Sequence, residues 1–273
     1  MANMLFNKER GLYNAVHLTS DTIWRTWRVA EKVQETDDVV RFVVERIDER
    51  EVKPSLPGQY VTIKMAMHDG VHQPRQYSLT KADDGQHRQF AVKRVRGHGT
   101  PDGEMSNLLH DEVQVGDEVV LSVPFGDVVL EYTDRPLVLA SAGIGITPMA
   151  GMLSHLVKSG SQRQVLLLHA DDSEASFPLR GQVREDLAAL ADGTLKTWFL
   201  NPTESPAEGA AAAGFSGFMD VSAVDLPDDA EFYLCGPLPF LKSVRSELVA
   251  GGVPAKDIQY EVFGPDLWLA DFQ

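Results

Sequence analysis

Cysteine is nearly absent from this sequence: Cys235 stands alone among 273 residues. One thiol excludes an internal disulfide framework, and it excludes any four-cysteine zinc or iron–sulfur site built by this chain alone. Long apolar runs are missing too. None approaches the roughly 20 residues that a helix needs to span a bilayer, and the opening MANMLFNKERGLYNAVHLTSD lacks the apolar stretch of a signal peptide. The expectation is a cytoplasmic protein without a membrane span. Basic residues are scarce beside acidic ones, 25 Lys+Arg against 40 Asp+Glu, for a net charge of −15. A surface this acidic repels phosphate backbones, which argues against nucleic acid as a partner and favours a basic protein. Metal-ligand patterns are lacking as well. His68 and His72 are four apart, but Gly70 between them argues against a shared helical face, so no metal site is expected. Ser141 precedes a glycine turn without the GxSxG elbow of a hydrolase, and no Ser/His/Asp order points to hydrolysis.

What the sequence does contain divides at about residue 132. Residues 1–23 read as an arm or linker helix. From Trp27 onward, WRVAEKV, VVRFVVERI, QYVTIKMAM, RQYSLTKA, QFAVKRV and DEVVLSVPFGDVVL are β-branched runs separated by Gly, Pro and Asp clusters. Such a succession predicts an antiparallel barrel or sandwich over 24–132, interrupted by one helix at Ser106–Asp111. After the turn YTDRP the pattern changes. PLVLASAG, QVLLLHA, LKTWFL, EFYLCGP and IQYEVFGP read as buried strands, alternating with the helical stretches ITPMAGMLSHLVKSG, LRGQVREDLAALA and LPFLKSVRSELVAGG. That alternation predicts βαβ units around a parallel sheet over 133–273. The alanine-rich stretch Glu208–Gly214 reads as a flexible loop. Two layers of different architecture leave a cleft between them, where ligand sites concentrate.

Five motifs carry chemistry. Arg75-Gln76-Tyr77-Ser78 places Arg75 and Tyr77 on one face of a strand; an arginine can pair with phosphate while a tyrosine ring stacks on a flat group. Gly103-Glu104-Met105-Ser106-Asn107 opens a helix, whose free N–H groups attract phosphate. Ala142-Gly143-Ile144-Gly145-Ile146-Thr147-Pro148-Met149 follows a buried strand and opens a helix. Its glycines permit a tight turn and a close approach to pyrophosphate, and Pro148 stands near where the dinucleotide fingerprint has its third glycine. Tyr233-Leu234-Cys235-Gly236-Pro237 and Glu261-Val262-Phe263-Gly264-Pro265 end two further strands, and open α/β sheets bind ligands at the carboxyl ends of their strands.

In this order the five motifs resemble the ferredoxin-NADP reductase superfamily, and within it the reductase half of bacterial flavohemoglobins. RQYSLT, AVKRV, SNLLHD, Gly126–Asp127, AGIGITPM, YLCGP and YEVFGP carry the likeness over about residues 24–265, and LFNKERGLYNA resembles the end of the last globin helix in those fusions. The globin itself has no counterpart, so no haem pocket is expected within these residues. The resemblance implies an antiparallel Greek-key FAD-binding barrel followed by a parallel-sheet domain that binds NADH, with NADPH left open. It implies hydride transfer from NADH to FAD and onward electron transfer to a separate acceptor, a protein or a small molecule. The alternatives are an electron-transfer or sensor subunit of a larger complex, or the reductase fragment of a flavohemoglobin.

By the same resemblance Arg75 pairs with the FAD pyrophosphate, Tyr77 stacks on the isoalloxazine and Ser78 bonds near its N5. Gln76 belongs to the same strand motif, and Val92, Lys93 and Arg94 lie along the flavin and its side chain. Met105, Ser106 and Asn107 hold the diphosphate. Gly143, Ile144, Gly145, Thr147 and Pro148 take the nicotinamide nucleotide's pyrophosphate, and Cys235, Gly236 and Pro237 flank the nicotinamide. Phe263 covers the flavin face, Glu261 is the acid near the hydride path, and Ser78, Cys235, Glu261 and Phe263 form the catalytic group. His169-Ala170-Asp171-Asp172 falls where the adenosine ribose is expected, and a carboxylate there, Asp171, would favour NADH; Arg180 and Arg184 follow closely and could reverse the preference. Two departures from the family stand out: the longer GTPDGEMSN loop, and a tail, DLWLADFQ, that brings Trp268 and Phe272 towards the cleft.

Overall fold

The β-branched runs of the first half form six antiparallel strands in a computed structural model that describes residues 23–97, 101–202 and 214–263. They are β1 (Trp24–Thr36), β2 (Val39–Arg46), β3 (Tyr60–Ala66), β4 (His72–Ser78), β5 (His87–Lys93) and β6 (Glu118–Ser122), ordered β4-β3-β6-β1-β2-β5. The two edge strands meet through a Leu79–Phe90 bridge and a Thr80 N–H donated to Gln89 O at 2.9 Å, so the sheet closes into a barrel. Alternation fills it. Val61 and Ile63 of β3 point inward with Phe42, Phe90 and Leu121, all fully buried, and the rings of Phe42 and Phe90 stack at 5.5 Å. One helix, α1 (Glu104–Asp111), caps the barrel, with Met105 and Leu109 in its core. It begins two residues before the expected Ser106.

The second half forms six parallel strands: β7 (Leu137–Ala142), β8 (Gln164–Asp171), β9 (Asp192–Phe199), β10 (Gly214–Ser216), β11 (Glu231–Gly236) and β12 (Ile258–Val262), ordered β10-β9-β8-β7-β11-β12. Their continuous apolar runs have the reason expected of parallel strands covered on both faces. Leu137, Leu139, Val165, Leu167 and Tyr233 face one core with α2 (Ile146–Ser159) and α3 (Arg180–Ala189). Val138, Ala140, Leu166, Leu168 and Phe232 face the other with α4 (Leu238–Ala250). The first of these cores also takes in Val39, Ala91 and Leu130 from the barrel side, so the two sheets share apolar packing.

β10 was not expected from the sequence. It is three residues long and begins at Gly214, the last residue of the stretch read as a flexible loop; the rest of that stretch lies outside the described residues. The long run DEVVLSVPFGDVVL contributes only β6, because Pro124 interrupts it; beyond, only Phe125 pairs with a strand residue, Tyr60. The arm over 1–22 and the tail residues Trp268 and Phe272 also lie outside the described residues.

Candidate active site

The strand order reverses at β7, so the connections leaving β7 and β11 diverge and open a crevice at their carboxyl ends. The barrel closes over that crevice. The result is a cleft of about 620 Å³ walled on one side by β4 and β5 and on the other by the turn after β7 and the end of β12.

From the barrel, β4 presents Arg75, Gln76, Tyr77 and Ser78 to the cleft. Tyr77 is half-buried, with its ring tilted against Phe90 at 5.7 Å, and burial pushes its phenol well above the usual range. The Arg75 guanidinium donates to Pro74 O at 2.8 Å and to Gln73 Oε1 at 2.9 Å and has no carboxylate partner among the described residues. Ser78 is 4% exposed and its Oγ has no hydrogen-bond partner among the described residues. A buried hydroxyl left unsatisfied is costly unless a ligand completes it. Lys93 of β5 lines the same wall and pairs with Asp38 at 3.3 Å.

From the α/β side, Ile144, Thr147, Glu261, Val262 and Phe263 line the cleft. Gly143 has φ +52° and open space where a Cβ would stand. A Cβ at Gly145 would overlap the carbonyl oxygen of Cys235, so β11 and the β7 turn approach as only glycine allows. Pro148 is the third residue of α2, and no side chain caps that helix, so its first N–H groups are free of side-chain acceptors. Glu261 pairs in register with Cys235; its Oε2 is buried without a partner among the described residues, and burial raises its carboxyl to about 7. Phe263, 40% exposed, is the last described residue of the wall.

Other residues expected at the site lie behind it. Val92 is buried in the barrel, and its carbonyl accepts from His110 Nε2 at 2.8 Å. Arg94 is turned onto α1, bonded to Asn107 Oδ1 at 2.8 Å and bidentate to Asp111 at 2.6 and 2.8 Å. Met105 is in the barrel core, and the Ser106 and Asn107 side chains both donate to Gly103 O at 2.9 Å, leaving only the N–H groups of that first turn for a ligand. The Cys235 thiol is wholly buried and its acidity suppressed by burial, with Glu261 adding to the effect. Gly236 is buried against Phe240 and Ala142, and Pro237 caps α4.

One network escaped the sequence reading. Ser141 Oγ lies 2.9 Å from His169 Nδ1, and His169 Nε2 lies 3.4 Å from Asp171 Oδ2, with the imidazole stacked on Phe177 at 3.9 Å. Ser141 and His169 are fully buried, so no substrate can reach them and the alignment is not hydrolytic. The alternation of β7 and β8 in register, Ser141 opposite His169, is the signal that could have found it.

Residues 26–130 match the oxidoreductase FAD-binding domain family, and residues 139–246 the oxidoreductase NAD-binding domain family. The flavohemoprotein of Chromobacterium violaceum is 40% identical over 271 residues, covering 97% of this chain and 67% of its own length. That of Rhizobium meliloti is 37% identical over 251 residues, 90% of this chain and 62% of its own length. Among solved structures, the FAD/NAD-binding domain of the nitric oxide dioxygenase from Vibrio cholerae superposes with a TM-score of 0.80 at 36% identity, covering 88% of this chain and 99% of that one. The flavohemoglobin from Malassezia yamatoensis, solved with bound FAD and heme, gives 0.78 at 33% identity over 89% of this chain and 60% of its own. The chain thus spans roughly two thirds of the flavohemoproteins it matches. It belongs to the FAD- and NAD-binding oxidoreductases of the ferredoxin-NADP reductase type, on the branch that includes the FAD/NAD-binding half of flavohemoproteins. It is an NAD(P)H-dependent flavin oxidoreductase, and the cleft fits that chemistry: an unsatisfied Ser78 hydroxyl, an arginine without a carboxylate, a half-buried ring and an open glycine turn suit a flat, polar-edged group carrying phosphates.

Proposed function

We propose that the cleft holds FAD along β4 and admits NADH from the β7 turn, and that the electrons leave for a haem globin. The single observation that carries the reading is that one cleft is walled by both Arg75–Ser78 and the Ile144–Thr147 turn. Held by Arg75, Tyr77 and Ser78, FAD would supply the capacity to accept a hydride from reduced nicotinamide and to release electrons one at a time. The rest is the work of this chain's residues. Arg75, free of a carboxylate, is suited to neutralise a phosphate, and Tyr77 offers a flat, half-buried wall. Ser78 offers one hydroxyl donor at the reacting edge, where losing a donor typically costs about 10²–10³ in rate. Glu261, raised to about 7, can hold a proton at neutral pH beside that edge. Phe263 stands as a shutter on the open side, and aromatic stacking there is weak enough, about 0.5–1.5 kcal/mol beyond burial, for an arriving nucleotide to displace. The globin is inferred from the relatives, which are named as flavohemoproteins.

Heat release and chromatography of the flavin, with stopped-flow reduction by NADH, test this. The expected result is FAD, lost in Arg75→Ala but retained in Ser78→Ala, whose reduction slows. FMN alone, or equal flavin loss in both variants, overturns the assignment.

A further inference from the structure

The helix that begins with the nicotinamide turn also carries a close contact between the two halves. Gly151 lies one turn into α2 from Thr147, and a Cβ there would overlap the carbonyl oxygen of Leu79. Leu79 directly follows Ser78. Between two residues that line the cleft, Ser78 and Thr147, the protein therefore interposes one peptide, one glycine contact and one helical turn. Glycine in a helix interior is intrinsically unfavourable, and this contact supplies the reason for it.

The contact is one of a row. On α2, Ser154 Oγ accepts from Ala82 N at 3.0 Å, and Lys158 donates to Asp83 O. On α3, Gln182 Nε2 donates to Thr80 O at 2.6 Å while its Oε1 accepts from Gln89 Nε2 at 2.6 Å. Gln89 also donates to Thr80 Oγ1 at 2.9 Å, so Gln182 grips the very bridge that closes the barrel. Just ahead of α3, Leu179 N donates to Glu35 Oε2 of β1 at 3.2 Å. Residues 79–83 are thus clamped by two helices of the α/β half.

We propose that Gly151 and Gln182 are positioning residues that fix the spacing between the flavin strand and the nicotinamide turn, and so the hydride-transfer geometry. The inference rests on the cofactor placement given above. A misplacement of about 1 Å can cost on the order of 10²-fold in rate. Gly151→Ala must push α2 away from a backbone oxygen that cannot rotate aside, while alanine itself favours the helix. Gln182→Ala removes both arms of the second grip. Gly181→Ala, next to it on an exposed site with nothing within 4 Å of the added atom, is the control.

The test compares the three variants with the parent, as full chains with bound flavin. Measured are flavin content, the affinity for ADP-ribose by calorimetry, the melting midpoint, the single-turnover rate of flavin reduction and its isotope effect with 4-deuterated NADH. The parent is checked first: failure to hold FAD or ADP-ribose would refute the cofactor placement and not the seam. Expected for Gly151→Ala is a 10- to 100-fold slower reduction with a changed isotope effect, and for Gln182→Ala a several-fold loss. Flavin content and ADP-ribose affinity should stay within twofold, and Gly181→Ala should match the parent. Parent-like rates in both seam variants would overturn the proposal. So would rate losses that merely track lost flavin or a lowered melting midpoint.

Discussion

Glu261 shows how a single residue's surroundings set its chemistry. Its carboxyl has an unpartnered buried oxygen and neighbours the buried Cys235, and burial raises it from 4.5 to about 7. The folded protein therefore keeps the proton up to about pH 7, whereas the unfolded chain releases it near 4.5. Between those values the folded state binds more protons, so this group's contribution makes stability fall as pH rises through that window and level off above it. The shift corresponds to about 3 kcal/mol. Glu261→Gln should flatten the slope and leave the variant the more stable form above pH 7. Urea denaturation across the window checks it, and a slope equal to the parent's would show that another group is titrating.

At the scale of the element, the end of β8 separates two carboxylates that the sequence presents as equals. Asp171 is 7% exposed at its side chain, takes the Asp172 N–H at 2.8 Å and faces His169. Asp172 is exposed and accepts from Asn201 Nδ2 at 2.6 Å. If the adenosine ribose docks here, Asp172 meets it and Asp171 supports the strand end. The protein should then bind 5′-AMP in preference to 2′,5′-ADP. Asp172→Asn should reduce that discrimination about tenfold, a size set by one nearby charge, while Asp171→Asn leaves it intact. Calorimetry with the two nucleotides decides, and the reverse pattern would return the role to Asp171.

The same strand shows what was legible in the sequence. The fold was readable because period-two alternation in the barrel and continuous apolar runs in the sheet each follow from how many faces a strand buries. That Arg75–Ser78 ends a barrel strand and Gly143–Thr147 turns from a buried strand into a helix was readable because strand pattern and glycine placement are local in sequence. The inward turn of Asp171, the Arg94 grip on Asp111 and the close approach of Gly151 to Leu79 were not. Each depends on a partner distant in sequence, brought near only by the barrel's closure or by the packing of one half on the other.

Across the whole molecule, the join between the halves is buried and charged. Arg163 and Glu231 are 5% and 6% exposed, and Arg163 Nη2 donates to Glu231 Oε2 at 2.7 Å. Arg163 also donates to the carbonyls of Glu131 at 2.9 Å and Arg135 at 2.6 Å, and Thr133 Oγ1 donates to Glu231 Oε1 at 3.1 Å. The connection from β6 to β7 is thus pinned to the base of the parallel sheet by a charge pair that water does not screen. Breaking such a pair by removing one partner typically costs about 3–5 kcal/mol, because the other charge is left buried, whereas replacing both by apolar groups costs far less. Arg135, 3.6 Å from Glu231 and also paired with Asp257 at 2.9 Å, is itself a cation, so it offers Arg163 no replacement for the lost carboxylate. Glu231→Ala should therefore fall in that range. Arg163→Met with Glu231→Leu should be less destabilised than Glu231→Ala alone, although the linker carbonyls lose their donor. Because the core on the barrel-facing side of the sheet draws residues from both halves, the loss should lower one shared unfolding transition and not split it in two. Urea denaturation followed by flavin and tryptophan fluorescence tests both points; additive losses in the double variant, or two separated transitions, would refute the account.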